Sequence, residues 1–194
     1  MKLFQACILS LIAAAAAAQP APAADMSEQA MNQWISSARP VAEHDRLRAM
    51  TGRWKVRQRD WRGGAAPWND AQGTATWRPV LGGRFMEQEL VTSLKDHPYH
   101  GMELVGFDRD SGKYVGAWMD DFGTSLLPLE GNWDEKTRSL TLKGYIGPQA
   151  DPRMQWMMKQ TWADKDHMTV EWWGPTAAGT TVKVVEVDYS RLAA

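Results

Sequence analysis

The pattern of apolar and polar positions changes character twice along the chain. From Leu3 to Ala18 apolar residues run almost unbroken, interrupted by Gln5 and Ser10 and preceded by the single charge of Lys2. Small residues and two prolines follow, from Gln19 to Ala24. A charged start, a short apolar stretch and an Ala-x-Ala-like exit read as a secretory leader, residues 1–24, cut after Ala18 or Ala23. The run is shorter than the roughly 20 apolar residues a spanning helix requires, so no membrane span is expected once it is cut. Without a twin-arginine pair the route is of Sec type, and the expected destination is the periplasm or the exterior. Residues 25–50 then show a helical spacing. Asp25 followed by Glu28 fits a capping box and predicts a helix over about 27–38, ended by Pro40. A second short helix fits 41–50, with Gly52 beyond it.

From Trp54 the period drops to two. Short runs rich in Val, Thr, Trp and Tyr predict strands at 53–61, 73–81, 84–93, 100–108, 113–120, 123–130, 138–146, 153–163, 167–173 and 180–190. Turn chemistry separates them: Gly82-Gly83, Asp108 to Gly112, Asp134 to Thr137, Ala163 to Asp166 and Ala177 to Gly179. No helix-length segment lies between strands, which excludes parallel β-α-β units. Ten consecutive antiparallel strands leave two exposed edges unless the sheet closes on itself. The expected fold is therefore all-β, an up-and-down barrel of about ten strands spanning 51–192, preceded by one or two short helices. Alternation is clearest at 153–162, where Met154, Trp156, Met158, Gln160 and Trp162 share one face, the expected inner one.

Composition narrows the function. Twenty-two basic and 23 acidic residues are interspersed, so neither nucleic acid nor an anionic membrane is an expected partner. The single cysteine, Cys7, lies within the leader. The remainder offers no disulfide, thiolate metal site or thiol nucleophile, which suits an oxidising compartment. Eleven tryptophans and 11 methionines are the anomaly. Indoles supply large apolar area with one N–H donor, and thioethers adapt to irregular shapes.

Gly52-x-Trp54 opening the first strand, with Arg191 just after the last, resembles the signature of the calycins, the superfamily of lipocalins and fatty-acid-binding proteins. There the tryptophan closes one barrel end and a basic residue packs across it. A wider series covers most of 45–191: Leu81-Gly82-Gly83-Arg84-Phe85, Gly106-Phe107-Asp108, Tyr114-x-x-x-Trp118-x-Asp120, Gly131-x-x-Asp134 and Glu186-x-x-Tyr189-x-Arg191. It is similar to a widespread bacterial family catalogued as a domain of unknown function and placed among calycin-like barrels. The resemblance implies a fold and no activity.

Candidate chemistry is sparse. Trp118 and Asp120 share a strand face; if it looks inward, Asp120 needs a partner, and Arg84 is the candidate. The pair would anchor a ligand or be a structural ion pair, unless Asp120 to Gly123 simply form a turn. Glu87 and Glu89 share a face that is solvated if Met86, Gln88 and Leu90 point inward. His97 and His100 fall in a predicted loop near Glu103, without the helical spacing of a metalloprotease site. No nucleophile elbow, phosphate loop or dinucleotide fingerprint is present. The expectation is an exported barrel that binds a small, largely apolar molecule between Trp118, Trp156, Met158 and Trp172, oriented by Arg84 and Asp120, with no metal, cofactor or catalytic residue assigned. The alternatives are an enzyme on the same barrel, using Asp120 and Glu89 or a His97/His100 metal site, and a solidly packed interaction module with Met31, Trp34 and Ile35 on its helical face. Oligomeric state is not legible in the sequence.

Overall fold

The computed structural model describes residues 27–63, 65–146, 154–176 and 178–193. The leader, the Asp25 cap and Arg153 lie outside the described residues. Two helices come first: α1 (Glu28–Ser37) and α2 (Ala42–Arg48). Ten strands follow: β1 (Gly52–Asp60), β2 (Asn69–Val80), β3 (Phe85–Leu94), β4 (His97–Asp108), β5 (Lys113–Asp120), β6 (Leu127–Asp134), β7 (Ser139–Tyr145), β8 (Gln155–Trp162), β9 (His167–Pro175) and β10 (Thr181–Arg191). Each pairs antiparallel with the next, and β1 closes on β10, so the sheet is a ten-stranded closed barrel with no free edge. The expected fold class is the observed one.

The chain divides into two compact units at Ser36/Ser37. In the first, Ser27 Oγ accepts the Ala30 N–H at 3.2 Å and starts α1, none of whose residues is buried. In the second, α2 packs on β3 and β4. Its start is unusual: the Val41 N–H donates to His44 Nδ1 at 3.0 Å, so a side chain three residues on satisfies an otherwise orphaned donor. His44 is buried, and that burial holds its pKa below the usual histidine value.

Inward residues alternate along the strands, except at the Lys183/Val185 irregularity in β10 where Val184 and Val185 both line the interior, and they fill one end of the barrel. Trp54 is fully buried, donates from Nε1 to Met50 O at 2.9 Å and meets Tyr189 edge-on at 6.2 Å. The Arg191 guanidinium lies over its ring at 4.1 Å. Nη1 of Arg191 donates to Thr51 O at 2.6 Å, and Nη2 donates to Ala49 O at 2.7 Å and Lys165 O at 2.9 Å. Leu47 and Met50 complete the plug from α2 and the turn after it.

Two turns differ from the sequence reading in ways that matter for the site. Val80 pairs with Phe85, so Leu81 to Arg84 form a four-residue loop rather than a two-residue one. Gly82 and Gly83 sit at φ 68° and 78°, backbone that glycine adopts without penalty. At the next turn Leu94 pairs with His97, leaving only Lys95 and Asp96 between β3 and β4. The segment expected to be a loop with two histidines is therefore strand.

Candidate functional site

The barrel end opposite α2 is hollow. A cavity of about 520 Å³ opens between the β1–β2, β3–β4 and β5–β6 connections. That volume falls in the range of small-molecule sites. Trp118, Trp156 and Trp172 form much of its wall, with Met158 and Val187 deeper in. Trp118 and Trp172 meet at 5.4 Å with their planes 60° apart. Glycines seat two of the rings: a Cβ on Gly101 would stand 2.4 Å from the Trp118 ring, and one on Gly174 would stand 2.9 Å from Trp156. Packing of indole onto bare backbone fixes their orientation. At the rim, Phe122 is 57 % exposed.

Five of the six residues singled out from the sequence, Trp118, Asp120, Trp156, Met158 and Trp172, line this cavity. Arg84 does not. Displaced from β3 into the Leu81–Arg84 loop, it donates from Nε to Ala38 O at 2.8 Å and from Nη1 to Leu81 O at 3.2 Å, at the plugged end. Asp120 is satisfied by neutral donors instead. Its Oδ2 accepts from Trp118 Nε1 at 3.1 Å and Tyr99 OH at 3.0 Å, and its Oδ1 accepts the Phe122 N–H at 3.1 Å. Burial and the neighbouring Asp120 push the Tyr99 hydroxyl well above the usual phenol value, so Tyr99 stays a donor. Met154, expected to face inward, precedes β8 and is 47 % exposed.

The other candidate groups do not converge. Glu87 pairs with Arg78, and Glu89 lies outside the barrel with His100 Nε2 at 3.1 Å. Glu89 and Asp120 therefore stand on opposite faces of the sheet. His97 and His100 are three apart on β4, which directs them to opposite faces. Among the described residues no group of three or more His, Cys, Asp or Glu side chains is placed to hold a metal ion.

Among the polar groups of the cavity that the sequence reading missed are Gln58, Asp60 and Glu103. Asp60 accepts from Gln58 Nε2 at 3.0 Å and Asn69 Nδ2 at 2.7 Å, and burial raises its pKa against the pull of both. Glu103, between Gln88 of β3 and Trp118 of β5, is 2 % exposed. Its partner is Gln160 Nε2, at 3.3 Å from one oxygen and 3.4 Å from the other, and burial pushes its pKa up to about 8. Beside it, Gln88 Nε2 donates to Tyr189 OH at 2.7 Å. The Trp54-x-x-x-Gln58-x-Asp60 spacing placed Gln58 and Asp60 on the face of the closing tryptophan, which was the available signal. For Glu103 the pattern pointed the wrong way, because Met102 and Leu104 look like the inward pair.

A closed antiparallel barrel, plugged at one end by the tryptophan of a Gly-x-Trp opening and hollow at the other, is a calycin-like barrel. Similar solved structures include Rv2717c from M. tuberculosis, 14 % identical with a TM-score of 0.61 over 80 % of this chain and 100 % of that one. The S-type phycobiliprotein lyase CPES from Guillardia theta is 10 % identical, with a TM-score of 0.54 over 82 % of this chain and 97 % of its own. At these identities the likeness is one of fold. Among curated proteins none matches the sequence. The family described as "Protein of unknown function (DUF1579)" matches residues 39–191, and the chain belongs to it.

Proposed function

We propose that this is an exported protein that binds one small, largely apolar molecule inside the hollow end of its barrel. The cavity carries the reading: a volume of about 520 Å³ lined by five indoles, with a few buried polar groups, matches the anatomy of a ligand site. Trp118, Trp156, Met158 and Trp172 supply the apolar wall, and Asp120, held by Trp118 and Tyr99, supplies a fixed polar point. The mobile aliphatic chain of Met158 adapts that wall to ligands of irregular outline. Export rests on the leader pattern and on the cysteine-free remainder.

Titration of intrinsic tryptophan emission with a panel of fatty acids, isoprenoids and aromatic compounds tests the binding. A saturable shift, with a rise in Tm that grows with ligand concentration, is expected for at least one member. A panel that produces neither result overturns the reading. Mass measurement of the protein from a periplasmic fraction tests export, with a chain beginning at Gln19 or Ala24 expected and an intact Met1 contradicting it.

A further inference from the structure

Three carboxyl groups line the cavity, each from a different strand: Asp60 at the end of β1, Glu103 within β4 and Asp120 at the end of β5. Their hydrogen-bond partners, named above, are amides, an indole, a phenol and a backbone N–H, all neutral. Among the described residues Arg62 is the one Lys or Arg on the cavity lining, and its guanidinium is stacked 3.8 Å from the centre of the Trp68 ring. A second observation is independent of the acids. Gln58 is 2 % exposed, lines the cavity and has its Oε1 buried without a hydrogen-bond partner. Its Nε2 is committed to Asp60, which fixes the amide with its oxygen as the free acceptor. An unpartnered buried acceptor carries a desolvation cost that a donor from a ligand removes.

These groups agree in sign. Carboxyls, an orphan carbonyl oxygen and the negative faces of the indoles all favour a donor or a positive charge. The carboxyls are spread around the wall rather than gathered about one point, which suits an organic cation with an apolar body. Resting on the binding role of the cavity, we propose that its ligand class is an amphipathic amine: an apolar chain or ring system carrying a protonated nitrogen. The nitrogen donates to Gln58 Oε1 and the carboxyls, and the apolar body lies against Trp118, Trp156 and Trp172. A fatty-acid carboxylate of the same length meets repulsion from the acids and no buried cation to offset it.

Calorimetric titration of the full chain with decylamine, decanol and decanoate, below their micellar concentrations at neutral pH, separates the two layers of the idea. Decanol reads the cavity alone; the amine and the acid read its charge. Decylamine is expected to bind about tenfold or more tighter than decanol, and decanoate more weakly than decanol. Asp120→Asn is expected to narrow the advantage of the amine at neutral pH, and Glu103→Gln to narrow it at about pH 9, where the wild-type carboxyl is ionised and the amine still protonated. Decanoate binding as tightly as decylamine overturns the amine inference and leaves the pocket standing. No binding of any of the three overturns the pocket and the inference together. The wild-type series decides the sign alone, so the result does not depend on whether the Glu103 variant folds.

Discussion

The two ends of this barrel are built from the same ten strands, yet they treat polar groups differently. At the plugged end the Trp54 indole N–H has a carbonyl, and the Arg191 guanidinium satisfies three carbonyls while covering the ring. At the hollow end Glu103 has two long contacts from one amide, and Gln58 Oε1 has nothing. Buried polar atoms are ordinarily paired. The plugged end leaves one donor open, Trp77 Nε1 opposite Gly52, within solid packing; the hollow end leaves the Gln58 acceptor open on a residue that lines a cavity.

Five substitutions sharpen or break that contrast. The largest effect belongs to the plug: Trp54→Ala empties a fully buried site and is expected to cost about 3–5 kcal/mol in a urea melt. Trp156→Ala, on the half-buried cavity wall, costs about 1 kcal/mol and instead weakens ligand binding. Equal losses of stability at both positions would erase the difference between the ends. Next is Glu103→Gln. In the fold this carboxyl keeps its proton up to about pH 8, whereas an unfolded chain releases it near the ordinary 4.5. Stability therefore falls as pH rises from about 4.5 to about 8 and levels off above. Gln88, Trp118, Gln160 and Tyr189 face the group as neutral side chains, Asp60 and Asp120 share its cavity, and the cation on the lining, Arg62, is stacked on Trp68 and hydrogen-bonds none of them, so burial sets the loss. Glu103→Gln should leave Tm nearly unchanged at the acid end of this window and raise it by several degrees at the alkaline end. An equal shift at both pH values would contradict the burial of an ionisable group there.

Arg191→Lys keeps the charge and gives up the planar fork that reaches three carbonyls. It should cost about 1–2 kcal/mol in the same melt without altering ligand affinity. Smallest of all, Arg84→Ala touches only loop carbonyls and is expected to change ligand affinity by less than about twofold. A large loss would return Arg84 to the site.

Much of the fold was legible because alternation and turn chemistry are local. All ten strands occur in the expected order, although β2 begins four residues earlier and β6 lies four residues later than expected, and the Gly-x-Trp opening marks the plugged end. The cavity wall was legible for the same reason: Trp118 with Asp120, and Trp156 with Met158, share faces at a spacing of two. What failed were contacts set by loop length. A hairpin loop two residues longer than Gly82-Gly83 took Arg84 out of β3, and register places its neighbour Phe85 across Gly106 and Val115, five residues along β5 from Asp120. A tighter Lys95-Asp96 turn converted the histidine segment to strand and separated His97 from His100. Glu103 was hidden because strand pairing with Gln88 and Trp118 outranked the local hydrophobicity of Met102 and Leu104, and register is a non-local property. Its companions Gln58 and Asp60 share the Trp54 face in the sequence, but the pairing of Asp60 with Asn69 is set by β2 and appears only in the fold.

The central claim is that the interior beyond Gln88 and Glu103 is empty space able to hold a molecule. Val187 lines that space and is 2 % exposed, so Val187→Phe projects a ring into it. A hollow end accepts the ring: the account predicts a Tm within a few degrees of wild type, together with loss of decanol binding by calorimetry. A solid interior would be overpacked, and a drop of about 1–3 kcal/mol in stability with decanol binding unchanged would contradict the account.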